Sequence, residues 1–177
     1  MRGMRRESSG VTLTELLVVI LIITGCGLAL GPFVRKARER AYTAACANNL
    51  RKISLALHKY AKDHDGAFPA VSNLTEFVGS LADPNTLYAE DLSIFICPNT
   101  GHKKAFPGDM ANSPVDYMYS SGLRVDSPPN LPIAADKVKG PGLTKGDNHG
   151  LNGINVLYVN GDVKRLTVVP GGEWIKE

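Results

Sequence analysis

Gly10-Val11-Thr12-Leu13-Thr14-Glu15-Leu16-Leu17-Val18-Val19-Ile20 opens the stretch that decides how this chain is built. From Val11 to Leu30, twenty residues carry one charged side chain, Glu15. A helix of about 20 apolar residues rises roughly 30 Å, the thickness of a bilayer's hydrocarbon core. A secretory signal peptide has a shorter apolar core, with its small-residue cleavage site beyond that core. Here the small residue, Gly10, precedes the apolar run and follows a basic start holding Arg2, Arg5 and Arg6. Cleavage after Gly10 would discard a leader and keep the apolar helix.

Glu15 is the most informative residue in the run. A carboxylate deep in lipid costs on the order of 2.5–3.5 kcal/mol on insertion scales. It therefore needs a partner. A cut after Gly10 creates an α-amine on Val11, about one helical turn away, which could pair with Glu15 of the same or a neighbouring chain. The plainer alternative is a Glu near the membrane interface that reaches water.

The same residues carry a resemblance. The stretch from Gly10 to Ile20 resembles the class III prepilin signal of type IV pilins and type II secretion pseudopilins, which reads Gly, then Phe-Thr-Leu-Ile-Glu-Leu-Leu-Val-Val-Ile. Val11 stands for the usual Phe and Thr14 for the usual Ile. Pro32 falls where many such proteins carry a helix-kinking proline, which removes a hydrogen bond and bends the axis. The resemblance implies a leader over residues 1–10, a transmembrane and filament-core helix over 11–31, an amphipathic stem helix over 32–66 and a globular head over 67–177. It implies cleavage between Gly10 and Val11 by a prepilin peptidase, N-methylation of Val11, and filament assembly in which Glu15 neutralises a neighbour's amine. The implied partners are that peptidase, copies of the chain, other pseudopilins and a secretion assembly platform. The implied location is the inner membrane, N-terminus cytoplasmic and head periplasmic. Charge bias alone leaves orientation open, because Arg35, Lys36, Arg38 and Arg40 flank the other end of the run.

The remaining 111 residues and the stem divide the charge unequally. Residues 31–66 carry eight Lys or Arg against Glu39, Asp63 and Asp65; residues 67–177 carry nine against twelve acids. A basic stem and an acidic head suit stem-to-head packing between subunits, or simply a solvated helix face. A net charge of +3 does not argue for nucleic acid, and the acidic head argues against it.

Leu50, Ile53, Leu57, Tyr60 and Ala61 recur at three- and four-residue intervals, with Arg51, Lys52, Lys59 and Lys62 off that stripe. The stripe predicts a helix packed on the head and ended by Asp65-Gly66. His58 and His64 read as surface residues of that helix. Asn73 and Glu76 resemble a capping box, which predicts a short helix over Leu74–Leu81. Ser93–Cys97, Tyr117–Ser120 and Leu131–Ala135 read as short antiparallel strands. Ile154 to Leu166 reads as a hairpin about Asn160-Gly161, with a type I′ turn expected. The architecture expected is α+β.

The head's last third also resembles one branch of those pilin-like proteins, in which a His precedes Asp-Gly by about ten residues. His149 to Val163 is the counterpart, with one extra residue of spacing and Asn160 in place of the Asp. The segment from Cys46 to Pro69, and Cys97-Pro98, look like that branch too.

Three cysteines are present. Cys26 reads as a packing residue in the apolar run. Cys46 and Cys97 would both lie outside the cytoplasm and are a candidate disulfide closing a loop of about fifty residues. No Cys/His spacing suggests zinc. Major pseudopilins hold calcium in a C-terminal loop, and Asp136, Asp147, Asn148, Asn152 and Asp162 supply oxygens for such a site, or else ordinary turn chemistry. No ligand set follows from their spacing, and otherwise no cofactor is implied. His149 near Asp147 reads as a loop histidine capping backbone groups. No nucleophile elbow, phosphate loop, dinucleotide fingerprint or His-Glu-x-x-His motif occurs, so a non-enzymatic role is expected. The function expected is that of a pseudopilin, with a surface pilin or a non-polymerising single-pass binding protein as rivals.

Overall fold

In a computed structural model, residues 11–82, 85–86, 88–102, 114–140, 142–144, 147–149 and 152–175 are described, apart from the side chains of Leu28, Ala29 and Pro32. The expected leader, residues 1–10 with Gly10 at its end, lies outside them. Residues 1–38 and 39–177 form two compact units. The first holds the start of α1 (Leu13–Asp63), a single helical element that continues through position 32.

The second unit is the head together with residues 39–63 of α1. The expected stripe is buried there: Leu50, Ile53, Leu57 and Ala61 lose almost all exposure, Tyr60 packs at their edge, and Arg51, Lys52, Lys59 and Lys62 face water. His58 and His64 are exposed, each ring bonded through Nδ1 to the carbonyl four residues back. The helix stops where Asp65 (φ 51°) and Gly66 (φ 81°) turn left-handed and the Gly66 N–H reaches the Ala61 carbonyl at 2.8 Å, a Schellman-type ending.

α2 (Leu74–Leu81) forms as expected. Asn73 accepts the Glu76 N–H at 2.9 Å, while the Glu76 carboxylate reaches back to the Ser72 N–H. Its Phe77 stacks on Tyr119 at 4.1 Å and meets Phe95 edge-on, and this trio fills the core beneath α1.

Four antiparallel strands follow in a meander: β1 (Tyr117–Tyr119), β2 (Pro132–Asp136), β3 (Ile154–Tyr158) and β4 (Val163–Leu166). Successive side chains point to opposite faces. Tyr117, Tyr119, Ala134 and Leu157 join the core under α1 and α2, whereas Met118, Ala135, Ile154 and Val156 form a second cluster with Trp174 and Val169 from the C-terminal segment. That segment also pairs Ile175 with Tyr119 along the outer edge of β1, covering an edge that would otherwise be open.

Two expectations need correction. Ser93–Cys97 is no strand, for Leu92–Phe95 makes a 3-10 turn. The Asp91 carboxylate accepts both the N–H and the hydroxyl of Ser93, offering the backbone a local bond in place of a ladder. The hairpin turn is not type I′ either. Among residues 159–162 only Gly161 has positive φ; its N–H bonds the Tyr158 carbonyl and the Tyr158 N–H bonds the Asp162 carbonyl. That is a type I turn with a glycine bulge. The Asn160 side chain accepts the Asp162 N–H and so stabilises the ordinary φ it keeps.

Together these elements are an α+β, pilin-like architecture: a long N-terminal helix whose C-terminal part packs on a four-stranded antiparallel sheet.

Gly153, with φ near +101°, marks where β3 must pass the end of β4. A Cβ there would lie 2.5 Å from the Leu166 carbonyl oxygen. Gly153→Ala is therefore expected to cost about 2 kcal/mol or more, from backbone strain plus a steric clash. A lowered chemical-denaturation midpoint at unchanged slope would bear this out; an unchanged midpoint would refute it.

Candidate functional site

Two places in the chain concentrate chemistry. The first is the start of α1. Thr12 is the helix's N-cap, and Glu15 stands three residues on. The Thr12 N–H and hydroxyl both donate to Glu15 Oε2, at 2.9 and 2.8 Å, and the Glu15 N–H donates to Thr12 Oγ1 at 3.3 Å. This reciprocal pair is a capping box, satisfying two of the N–H groups that a helix start leaves open. The sequence already held its signature in Thr12-Leu13-Thr14-Glu15, a Thr followed three residues later by Glu at the head of an apolar run. Glu15 thus has a local partner besides the amine expected of a processed Val11. Val11 itself is 77% exposed. Along the helix the apolar side chains of Leu13, Leu16 to Ile23, Leu30, Phe33 and Val34 stand 50–77% exposed. Among the described residues no helix is long and apolar enough to cross a membrane.

The second place is inside the head. Cys46 comes from α1, Cys97 from the segment after the 3-10 turn, His149 from the loop before β3, and Asp136 from the end of β2. All four are buried. The two sulfurs are 2.7 Å apart and both cysteines are free. His149 Nε2 lies 3.8 Å from Cys97 Sγ and 3.4 Å from Asp136 Oδ2, while Nδ1 faces Thr43 Oγ1 at 3.5 Å.

Each member is held by neighbours that the sequence did not single out. Strand alternation turns Asp136 and Asn155 toward α1. The Asn155 backbone N–H and side-chain amide both donate to Asp136 Oδ2, at 2.7 and 2.9 Å, and that amide also reaches the Thr43 carbonyl. Asp136 Oδ1 is buried with no hydrogen-bond partner. On the other side, buried Asp116 accepts the Cys97 N–H, the Thr100 hydroxyl and His102 Nδ1. Asn99 donates to the Asn148 carbonyl at 2.6 Å, tying the Cys97 loop to the His149 loop.

Burial and charge set the protonation of the group. Burial pushes Asp136 up to about 7, although the His149 charge and the Asn155 N–H pull the other way. Burial pulls His149 down, but its bond to Cys97 and the negative charges of Asp136 and Cys97 outweigh it, leaving the imidazole raised. Cys97 is lowered to about 5 by its bond to Cys46 and by His149, against the opposing effect of burial. Cys46 is raised by its bond to Cys97, by burial and by the Cys97 and Asp136 charges.

This arrangement is not a nucleophile–base–acid relay. Cys97 and Asp136 share one ring nitrogen, whereas a relay needs them on opposite nitrogens. The expectation that His149 caps backbone groups is corrected: its ring meets a thiol and a carboxylate, and its acid is Asp136, not Asp147. Asp147 instead accepts the Lys139 and Thr144 N–H groups. The proposed calcium oxygens do not act as one set, since Asp136 holds Asn155, Asp162 sits in the hairpin turn, and Asn152 donates to Glu39. Among the described residues the Cys, His and acidic side chains close enough to share an ion are Cys46, Cys97 and His149, with donor atoms within 4.8 Å of one another.

Comparison with known proteins reaches part of this ground. Residues 35–83 match a family described as "Protein of unknown function (DUF1559)". The match takes in the stem helix with Cys46, its termination at Gly66 and all of α2, which is less than half of the chain. No curated protein and no solved structure matches the chain.

Asp136 makes the head's stability depend on pH with a definite sign. An unfolded Asp titrates near about 3.9, whereas Asp136 keeps its proton to about 7. Its contribution is full below about pH 4 and is lost as pH rises through about 7. A Cys46→Ser, Cys97→Ser chain, which has no thiolate to titrate there, should melt at progressively lower temperature from pH 4 to 7. Adding Asp136→Asn should flatten that slope; a slope that survives the change would assign it elsewhere.

Proposed function

We propose that this chain is a structural subunit of a pilin-like filament, a pseudopilin that is cleaved after Gly10, N-methylated on Val11 and assembled through its N-terminal helix. The observation that carries the reading is the exposed apolar helix. Leu13 and the eight residues from Leu16 to Ile23 offer water a run of Leu, Ile and Val side chains, far more than an ordinary soluble surface presents. Such a rod needs lipid, or copies of itself, around it. The head needs neither, because residues 39–63 and the sheet already close a core of their own.

The prepilin-like residues from Gly10 to Ile20 and the pilin-like fold support the same conclusion. The rod sits first in the inner membrane, with the head in the periplasm. It then leaves lipid by packing against other rods, and Glu15 neutralises the methylated amine of a neighbour on the way. A periplasmic filament built so would push folded proteins toward an outer-membrane channel. The acidic head favours this role over DNA uptake.

The capping box sharpens the test. Glu15→Ala removes both the cap and the charge, while Glu15→Gln keeps an oxygen for the Thr12 N–H and loses the charge alone. A polymerising subunit should lose filament incorporation with either change. If Gln restores incorporation, Glu15 is a helix cap and the charge-pairing mechanism fails. If neither change matters, the chain is a simple anchor. Intact-mass analysis should find a mature chain beginning at methylated Val11; a chain still beginning at Met1 would contradict the processing step.

A further inference from the structure

We propose that Cys46 and Cys97 close a disulfide that staples the stem helix to the head at the point where α1 first becomes buried. Among the described side chains of α1, Thr43 and Cys46 are the first buried ones met from the N-terminus. Tension on the helix would start peeling it from the head there, so a covalent bond at Cys46 lies where it resists most. Any such tension follows from the filament reading above, and so does the oxidising compartment.

The geometry favours a bond over a shared ion. Non-bonded heavy atoms rest about 3.5–4.0 Å apart. Two thiolates on one tetrahedral zinc, at about 2.3 Å each, would stand roughly 3.8 Å apart. The sulfurs lie at 2.7 Å, inside both distances. His149 Nε2 faces Asp136 Oδ2 at 3.4 Å as well as Cys97 Sγ at 3.8 Å, so that nitrogen is already engaged by the carboxyl group. In the reduced head Cys97 and Asp136 compete for one imidazole nitrogen; oxidation removes the thiol and leaves His149 to Asp136 alone.

Closure takes place while the head folds, because neither sulfur is exposed afterwards. The Cys97 thiolate attacks one sulfur of an external disulfide, R–S–S–R, and expels RS⁻. The Cys46 thiolate then attacks Cys97 Sγ in the mixed disulfide and expels the second RS⁻. The two thiol protons end on the two leaving groups, and two electrons pass to the oxidant, which leaves as 2 RSH.

The test uses full-length chain purified in detergent, reduced, unfolded, and refolded with oxidised glutathione. Differential alkylation before and after reduction should then show Cys46 and Cys97 both blocked and joined in one cross-linked peptide pair. Hydrogen exchange at residues 43–50 should be slower by at least about tenfold in the oxidised chain than in Cys46→Ser, with little difference at residues outside the head. Both thiols remaining free after refolding, or zinc retained at one ion per chain by elemental analysis with both thiols alkylatable on denaturation, would overturn the staple. Ready closure in glutathione with free thiols in chain taken directly from cells would leave the staple standing and refute the periplasmic head instead.

Discussion

The burial of one side of α1 against one face of the sheet is the contact on which the head depends. Leu50, Ile53, Leu57 and Ala61 lie on Tyr117, Tyr119 and Leu157, with Phe77 and Phe95 filling the space below. Each fully buried side chain of this size contributes about 1.5–3 kcal/mol relative to exposure. Without α1 that sheet face would present its aromatic residues to water, and a small meander rarely holds on one face alone. The second cluster, on the far face, rests on Trp174 and the C-terminal segment.

The same contact creates the polar site. Strand alternation places Asp136 and Asn155 on the helix side of the sheet, so two polar groups are carried into a region that packing has already dried. Their cost is limited by neighbours: Asn155 occupies Asp136 Oδ2 twice and the Thr43 carbonyl once, and His149 supplies the opposing charge. Cys46 and Cys97 are brought together by that same closure from points 51 residues apart. The cluster is thus a seam between stem and head, and its chemistry reports whether the seam is closed.

The chain's two ends of α1 are solved by different physics. At the start, Thr12 and Glu15 satisfy the open N–H groups with side chains. At the finish, where carbonyls are the open groups, left-handed backbone at Asp65 and Gly66 brings the Gly66 N–H to the Ala61 carbonyl. Between them the described side chains of the helix change from uniformly exposed to a single buried stripe. That change follows from composition: apolar residues occupy all faces before Leu30. From Leu50 onward charged residues stand on the outer face, and the buried Leu50, Ile53, Leu57 and Ala61 recur at three- and four-residue intervals.

Periodicity and end signals in the sequence determined the stem stripe, the helix stop at Asp65-Gly66, the Asn73-capped helix, the hairpin and the α+β class. These rest on contacts between residues a few positions apart, which is the range a linear pattern records. The same pattern misled at Ser93–Cys97, where a local Asp91 bond overrode apolar composition, and at Asn160, where the side chain kept φ negative. Only the tertiary structure decided that Cys46, Cys97, His149 and Asp136 share one buried volume, because that requires four distant segments to meet. No local spacing encodes it. What selects it is the closing of the helix on the sheet, a property of the packed core and not of any one stretch of chain.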